Sequence, residues 1–311
     1  MAKLTAIIPC FNNEASLPIL SDQLAECEKQ YLAGNPIDEF EYIFIDDGSK
    51  DNTFNLLLSI KKRFPEKVKI VKLSGNFGSL NALLAGFHNG TGDCYVTISA
   101  DLQEPTNLIF QMYDYWKKGI KVVIAQRASR EDPFLTRIFS KLYHSMIRRF
   151  ALPNAPSGGF DMILVDKKIQ EELIRLNESN TNILYLILLL KYPYLTISYN
   201  RKKRMHGKSS WTPMKKIKLF VDSFVAFSFF PIRLISITGL LLGLISFLYG
   251  IFVIYAKISG LIPLQGWSAL MVVLLFVSSF QMIALGIIGE YVWRALDASR
   301  KRPNFIIEKT I

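Results

Sequence analysis

Cysteine and histidine are scarce in this chain, with three of each in 311 residues. Cys10, Cys27 and Cys94 are odd in number and lack metal-ligand spacing. That argues against a disulfide framework and a zinc site, and for buried thiols in a reducing compartment. His88, His144 and His206 also lack metal spacing, and no Ser-His-Asp or Cys-His arrangement can be drawn from them. Internal repeats, low-complexity linkers and motifs that read RNA or DNA are missing too. Acids are the minority charge, 26 against 37 Lys and Arg, which leaves a net +11. With no nucleic-acid partner expected, that excess is assigned to anionic lipid and phosphate.

Charge of either sign is absent from two long apolar stretches, Leu234–Ala256 and Trp267–Gly289. Each makes a helix of roughly 34 Å, enough to cross a hydrocarbon core of ~30 Å. A pair of buried core helices fits poorly, because core helices of this length keep a polar face. Basic residues flank the stretches: Lys215, Lys216, Lys218 and Arg233 before the first, Arg294, Arg300, Lys301 and Arg302 after the second. The connection carries only Lys257. Positive flanks stay cytoplasmic. The expectation is an integral membrane protein with two spans and both termini inside, at the plasma membrane if bacterial. The N-terminus opens directly into Leu4–Pro9, too short for a cleaved signal peptide.

The polar half alternates strand and helix patterns. Residues 4–9, 41–45, Val68–Leu73, Cys94–Ser99 and Lys121–Ala125 read as strands. Ala15–Ala33, Thr53–Phe64, Leu80–Asn89 and Asn107–Lys118 read as helices. Such alternation predicts an α/β, mostly parallel sheet with helices on both faces, and ligands at the carboxyl ends of its strands. An amphipathic helix is expected over 134–151, a core helix over Leu184–Leu190, and an interfacial helix over 213–230. The domains read as 1–211 for the cytoplasmic sheet, 212–233 juxtamembrane, 234–289 a transmembrane hairpin, and 290–311 a cytoplasmic tail.

Four constellations fall between these elements. Asp46-Asp47-Gly48-Ser49 sets two carboxylates at a strand end, either as a capped turn or as hydrogen-bond acceptors for a base or ribose. Ser99-Ala100-Asp101-Leu102-Gln103-Glu104 sets hard oxygen donors at another strand end, either as an N-cap or as Asp101 and Gln103 holding Mg²⁺ or Mn²⁺. Asn76-Phe77-Gly78-Ser79 leads into a helix whose first amides could face phosphate, although simple packing explains it as well. Arg201-Lys202-Lys203-Arg204-Met205-His206-Gly207-Lys208 is basic just ahead of the membrane segment. It reads as an anchor to anionic lipid, as a clamp on phosphates, or as both. Lys61-Lys62-Arg63 reads as a solvated helix end.

Taken in order, these runs resemble the family 2 glycosyltransferases with a GT-A (Rossmann-like) fold. They are most similar to the membrane-anchored polyisoprenyl-phosphate glycosyltransferases, relatives of dolichol-phosphate mannose synthase. The matching runs are residues 7–18, 44–53, 76–87, 99–105, 201–211 and 286–305. The resemblance implies that Pro9, Phe11 and Asp47, with Asn13 and Asp46 beside them, line the nucleotide pocket. It implies that Asp101 and Gln103 hold the metal, that Arg127 and Arg204 meet phosphate with Lys208 also on the substrate, and that Asp101 and Asp161, the latter near the acceptor, are the catalytic residues. The chain departs from the pattern at Ser99, where an Asp is usual, and at Asn13, where a Glu is common. Ser210 replaces a Lys, and the acid of the acceptor motif has moved to Asp161.

The resemblance implies metal-dependent, inverting transfer from a UDP- or GDP-type nucleotide sugar to a polyprenyl phosphate, by a homo-oligomer. Two other readings remain. A polysaccharide-extending synthase would carry a Gln-x-x-Arg-Trp motif and more spans. A membrane-tethered nucleotide-binding protein without catalysis draws its support from Ser99.

Overall fold

A computed structural model describes residues 2–35, 37–129, 145–149, 152–156, 160–176, 178, 182–202, 228, 230–259 and 266–311. The chain divides into two compact units, Met1–Ser223 with Pro303–Ile311, and Phe224–Arg302.

The first unit alternates β1 (Lys3–Cys10), α1 (Leu17–Leu32), β2 (Glu39–Asp46), α2 (Thr53–Arg63), β3 (Val68–Leu73), α3 (Ser79–Asn89), β4 (Cys94–Thr97) and α4 (Leu108–Lys117). It continues with β5 (Val122–Ser129), β6 (Phe160–Asp166), α5 (Lys167–Leu176), α6 (Ile183–Leu189) and β7 (Leu195–Asn200), and ends with β8 (Ile307–Thr310). The eight strands form one sheet in the order β7-β5-β6-β4-β1-β2-β3-β8. β4, β1, β2 and β3 are parallel neighbours, as are β5 and β7. β6 enters antiparallel between β4 and β5, and β8 lies antiparallel on β3.

Alternation along the strands sorts the core. Leu4, Ala6 and Ile8 of β1 and Phe40, Tyr42 and Phe44 of β2 join the cluster that also holds Leu20 and Leu24 of α1, Leu57 of α2 and Met112 of α4. Ile7 and Ile45 face the opposite way, toward α3. There a Cβ on Gly86 would come 2.2 Å from Ile7 Cγ2 and 3.0 Å from Ile45 Cδ1. Glycine therefore lets α3 sit directly on the sheet. In α1 the buried positions Leu17, Leu20, Ser21, Leu24 and Glu28 trace one stripe, and Pro18 falls in the first turn, where a missing N–H costs nothing. The three cysteines are free thiols, with Cys10 and Cys94 buried.

The expected strands and helices of the first 125 residues are present with small shifts at their ends. α6 corresponds to the expected core helix, with Ile183–Ile187 buried and Asn182 Oδ1 accepting the Leu184 N–H at 3.0 Å. Residues 307–310, within the expected tail, form β8, whose Glu308 pairs with Lys72 at 2.8 Å. The expected helices over 134–151 and 213–230 lie largely outside the described residues, as do Arg204 and Lys208.

The second unit contains α7 (Phe230–Ile258) and α8 (Trp267–Arg300). Both are long and apolar enough to cross a membrane, over Phe230–Phe252 and Phe276–Arg300, with mean hydropathy 2.2 and 1.3. Large apolar side chains along them are exposed, among them Leu240, Phe247, Phe276 and Met282. The second helix runs past the expected end at Gly289, through Glu290 and Arg294, which pair at 3.0 Å one turn apart.

Candidate active site

Beyond β1 and β2 two turns are stitched crosswise. Asn12 adopts φ 53°, a conformation that Asn tolerates. Its N–H donates to Ser49 Oγ at 3.1 Å, and its Oδ1 accepts the Lys50 N–H at 2.9 Å. The Asn13 N–H donates to Thr53 Oγ1 at 2.8 Å, while Asn13 Oδ1 accepts the Phe11 N–H at 2.8 Å. Asn13, expected on the substrate, thus shapes its own turn. Pro9 is the register partner of Ile45, and Phe11 stands exposed at the rim.

Asp46 and Asp47 are both buried. Asp46 Oδ1 accepts the Ser49 N–H at 3.1 Å, while Oδ2 has no hydrogen-bond partner among the described residues. Asp47 Oδ1 accepts the Phe77 N–H at 2.7 Å and Oδ2 the Gly78 N–H at 3.0 Å, just ahead of α3. Burial pushes its carboxyl up to about 6 from the ordinary 3.8; the two amides oppose the rise and Asp46 adds to it. Gly48 makes this corner possible: its φ is +68°, and a Cβ there would lie 2.6 Å from the Gly75 carbonyl carbon.

The second gathering lies beyond β4. Ser99 Oγ contacts Asp101 Oδ1 at 2.8 Å and makes a short contact with Glu104 Oε2. Asp101 Oδ1 also accepts the Gln103 N–H at 3.2 Å. Leu102 takes φ 62° and buries its side chain, turning the loop inward. Glu104 is buried. Burial pushes it up to about 7, Asp161 and Asp101 add to the rise, and Ser99 and Arg201 oppose it. Arg201 Nε stands 3.8 Å from Glu104 Oε1. The backbone beyond β7 clasps the same loop. The Lys202 N–H donates to the Gln103 carbonyl at 3.0 Å, and Gln103 Nε2 donates to the Lys202 carbonyl at 3.2 Å.

Asp161 of β6 is held from β5 and β7. Arg127 Nε donates to Asp161 Oδ2 at 2.5 Å, Nη2 pairs with the same oxygen, and the Tyr199 hydroxyl donates to it at 3.3 Å. Burial by itself lowers the Arg127 value. Asp161 beside it reverses this and holds the guanidinium charged. Burial, then Asp161 and Glu104, push the Tyr199 phenol above its ordinary value.

Of the expected site residues, Pro9, Phe11, Asn13, Asp46 and Asp47 share one corner, while Asp101 and Gln103 share a loop. Arg127 is brought to Asp161, an ion pair that spacing did not announce. Tyr199 was not singled out, and Glu104 and Arg201 entered only as members of the loop after β4 and of the basic run, with no role of their own. Glu104 carried a signal, an acid inside the metal motif; Tyr199 carried none.

The donors around Asp101 fit a divalent ion that keeps much of its water and binds through phosphates. Asp101 is a carboxylate, and the Gln103 amide nitrogen donates to the Lys202 carbonyl, so the amide oxygen is the atom that would ligate an ion. Among the described residues no three His, Cys, Asp or Glu are grouped as a closed metal cage. A cavity of about 290 Å³ lies elsewhere, between α1 and α2, lined by Leu24, Glu28, Tyr42, Phe64 and Lys67. None of the residues above lines it.

Polar and acidic residues collected beyond the carboxyl ends of β1, β2 and β4 are the arrangement of an α/β enzyme that binds its ligand across the strand ends. The chain belongs to glycosyl transferase family 2, whose family model matches residues 5–174. It is a glycosyltransferase, and its mostly parallel sheet is the architecture that the GT-A resemblance implied.

Similar curated proteins span the whole chain. An uncharacterized glycosyltransferase, YkcC of Bacillus subtilis (strain 168), is 32% identical over 98% of this chain and 93% of its own length. The bactoprenol glucosyl transferase of Shigella phage SfX is 30% identical over 98% and 99%. A prophage bactoprenol glucosyl transferase homolog of Escherichia coli (strain K12) is 29% identical over 99% of each. Among solved structures, the mannosyltransferase PcManGT from Pyrobaculum calidifontis, in complex with GDP-Man and Mn²⁺, is 15% identical. It covers 66% of this chain and 57% of that one, with a TM-score of 0.44.

Proposed function

We propose that this glycosyltransferase moves a hexosyl group from a nucleoside diphosphate sugar to a membrane polyprenyl phosphate at the cytoplasmic face. The observation that carries the reading is the full-length similarity to bactoprenol glucosyl transferases, which extends through both apolar helices. An acceptor whose tail stays in lipid needs an enzyme whose site stands at headgroup height.

In this reading an oxygen of the acceptor phosphate attacks the anomeric carbon. The bond to the donor's diphosphate oxygen breaks, the nucleoside diphosphate leaves with the electron pair, and the anomeric centre inverts. The acceptor's second pKa is near 6, so at neutral pH it arrives mostly as the anion and needs no strong base. Asp161, paired to Arg127, therefore orients rather than deprotonates. Pro9, Phe11, Asp46 and Asp47 face the nucleotide. Asp101 and Gln103 would hold Mg²⁺ or Mn²⁺, which when bound supplies positive charge to the leaving diphosphate. Arg127, with Arg204 and Lys208 of the basic run, meets the phosphates.

The test is to incubate the full-length protein in vesicles with a panel of UDP- and GDP-sugars, polyprenyl phosphate and either ion. Product identification is by mass. Sugar-phosphoryl-polyprenol formed from one donor is the expected result. Transfer only to a growing sugar chain, or no transfer with any donor, overturns it.

A further inference from the structure

We propose that Tyr199 is a positioning residue for the acceptor side of the site, locking Asp161 and Arg127 into one arrangement. The proposal rests on the polyprenyl-phosphate reading above. Three strands build the unit. β5 lies between β7 and β6, and Arg127 of β5 and Tyr199 of β7 are register partners in a parallel pair, so their side chains leave the sheet on the same face. Against β6 the pairing steps from Ala125–Met162 to Gln126–Phe160, which leaves Asp161 as the extra residue on β6, and against β7 it steps from Arg127–Tyr199 to Ser129–Asn200, which leaves Ala128 extra on β5. Irregularities of this kind bend a strand and re-aim a side chain, and here they fall at Asp161 and just after Arg127. From β7 a side chain must reach over β5 to meet Asp161, about two strand spacings of 4.8 Å away. A tyrosine hydroxyl is long enough to do this.

All three donors converge on one atom. Arg127 Nε, Arg127 Nη2 and the Tyr199 hydroxyl all meet Asp161 Oδ2. A carboxylate otherwise turns broadly about its last torsion; donors arriving from two strands remove that freedom. The Asp161 backbone is fastened as well. Its carbonyl accepts from Thr97 Oγ1 at 3.5 Å, and the same hydroxyl oxygen accepts the Ile163 N–H at 3.1 Å. Arg127 is also hydrogen-bonded to the Tyr199 side chain, so the hydroxyl touches both members of the ion pair. Tyr199 is buried, 5% exposed, so it is a wall of the unit rather than a surface contact. Two residues on, Arg201 reaches Glu104. The end of β7 therefore serves both carboxylate groups, one through Tyr199 and one through Arg201.

Tyr199→Phe removes the hydroxyl and keeps the ring. Loss of one positioning hydrogen bond should raise KM for polyprenyl phosphate about 3–10-fold. The nucleotide-sugar dissociation constant should stay within about twofold, and the thermal midpoint should be nearly unchanged. In an Asp161→Ala background the same substitution should add less than it does alone, because the hydroxyl then keeps only its contact with Arg127. The experiment uses full-length protein in vesicles and follows glycolipid formation, with nucleotide binding measured separately. A Tyr199→Phe enzyme with wild-type acceptor KM overturns the positioning role, as does an equal effect with and without Asp161. Wild-type protein that binds nucleotide sugar but makes no glycolipid overturns the acceptor reading, and this proposal with it.

Discussion

Asp47 and Glu104 are both buried carboxylates beyond strand ends, and burial pushes both up, to about 6 and about 7. Their partners differ. Asp47 is held by backbone N–H groups of residues 77 and 78, part of one short turn. Glu104 is surrounded by side chains from separate elements: Ser99 after β4, Asp161 of β6 and Arg201 after β7. Backbone donors hold the Asp47 carboxylate itself, whatever the neighbouring side chains. The second corner is a balance of charges, and any one substitution there changes the electrostatics of the rest. Losses at the first corner should appear mainly in stability and nucleotide binding, and losses at the second mainly in turnover.

The largest expected effect tests the second corner. Asp101→Ala should cut glycolipid formation by roughly 10²–10³, by analogy with a lost transition-state donor, and should weaken metal-dependent nucleotide binding. Ser99→Ala should cost about tenfold or less, since Ser99 supplies a neutral oxygen. Turnover and metal titration of both variants decide the matter. A folded Asp101→Ala protein with near-normal turnover would break the contrast between the corners.

Gly48→Ala should act on the first corner through the backbone. The added Cβ meets the Gly75 carbonyl carbon at 2.6 Å and Asn76 N at 2.8 Å in a left-handed conformation, and neither contact is a side chain that can swing aside. The expected cost is about 1–3 kcal/mol, read as a lowered thermal midpoint together with weaker nucleotide binding. Unchanged stability would show that the corner is softer than its hydrogen bonds imply.

The smallest effect concerns pH. The folded-state value of Asp47 lies above the ordinary 3.8, so the folded protein holds that proton more tightly than the unfolded chain. Its contribution is full below about pH 4 and is lost as pH rises through 6. Asp47→Asn should flatten the stability profile across that window by roughly 1–2 kcal/mol. Chemical denaturation at several pH values measures it. An unaltered slope would assign the dependence to other groups.

Much of this architecture could be read in order along the chain. The β1–α4 alternation follows from local apolar runs closed by polar turns, each signalled within a few residues. The turns after β1, β2 and β4 were legible for the same reason, and they carry Asn13, Asp46, Asp47 and Asp101. β6, β7 and β8 were harder. No strand was expected over Phe160–Asp166, where β6 enters antiparallel, and Ile307–Thr310 has too short a pattern to announce a strand that pairs with residues more than two hundred positions earlier.

The sequence by itself determined the α/β class, the family motifs and the two long apolar helices, because each depends on composition or on spacing within one element. Only the tertiary structure decided that Arg127 answers Asp161, that Tyr199 joins them, and that Arg201 and Lys202 dock on the Ser99–Glu104 loop. Those contacts depend on strand order and register, which bring residues from distant parts of the chain to one end of the sheet. A side chain's partner there is set by which strand lies beside it, and that is a property of the packed sheet rather than of any local run of residues.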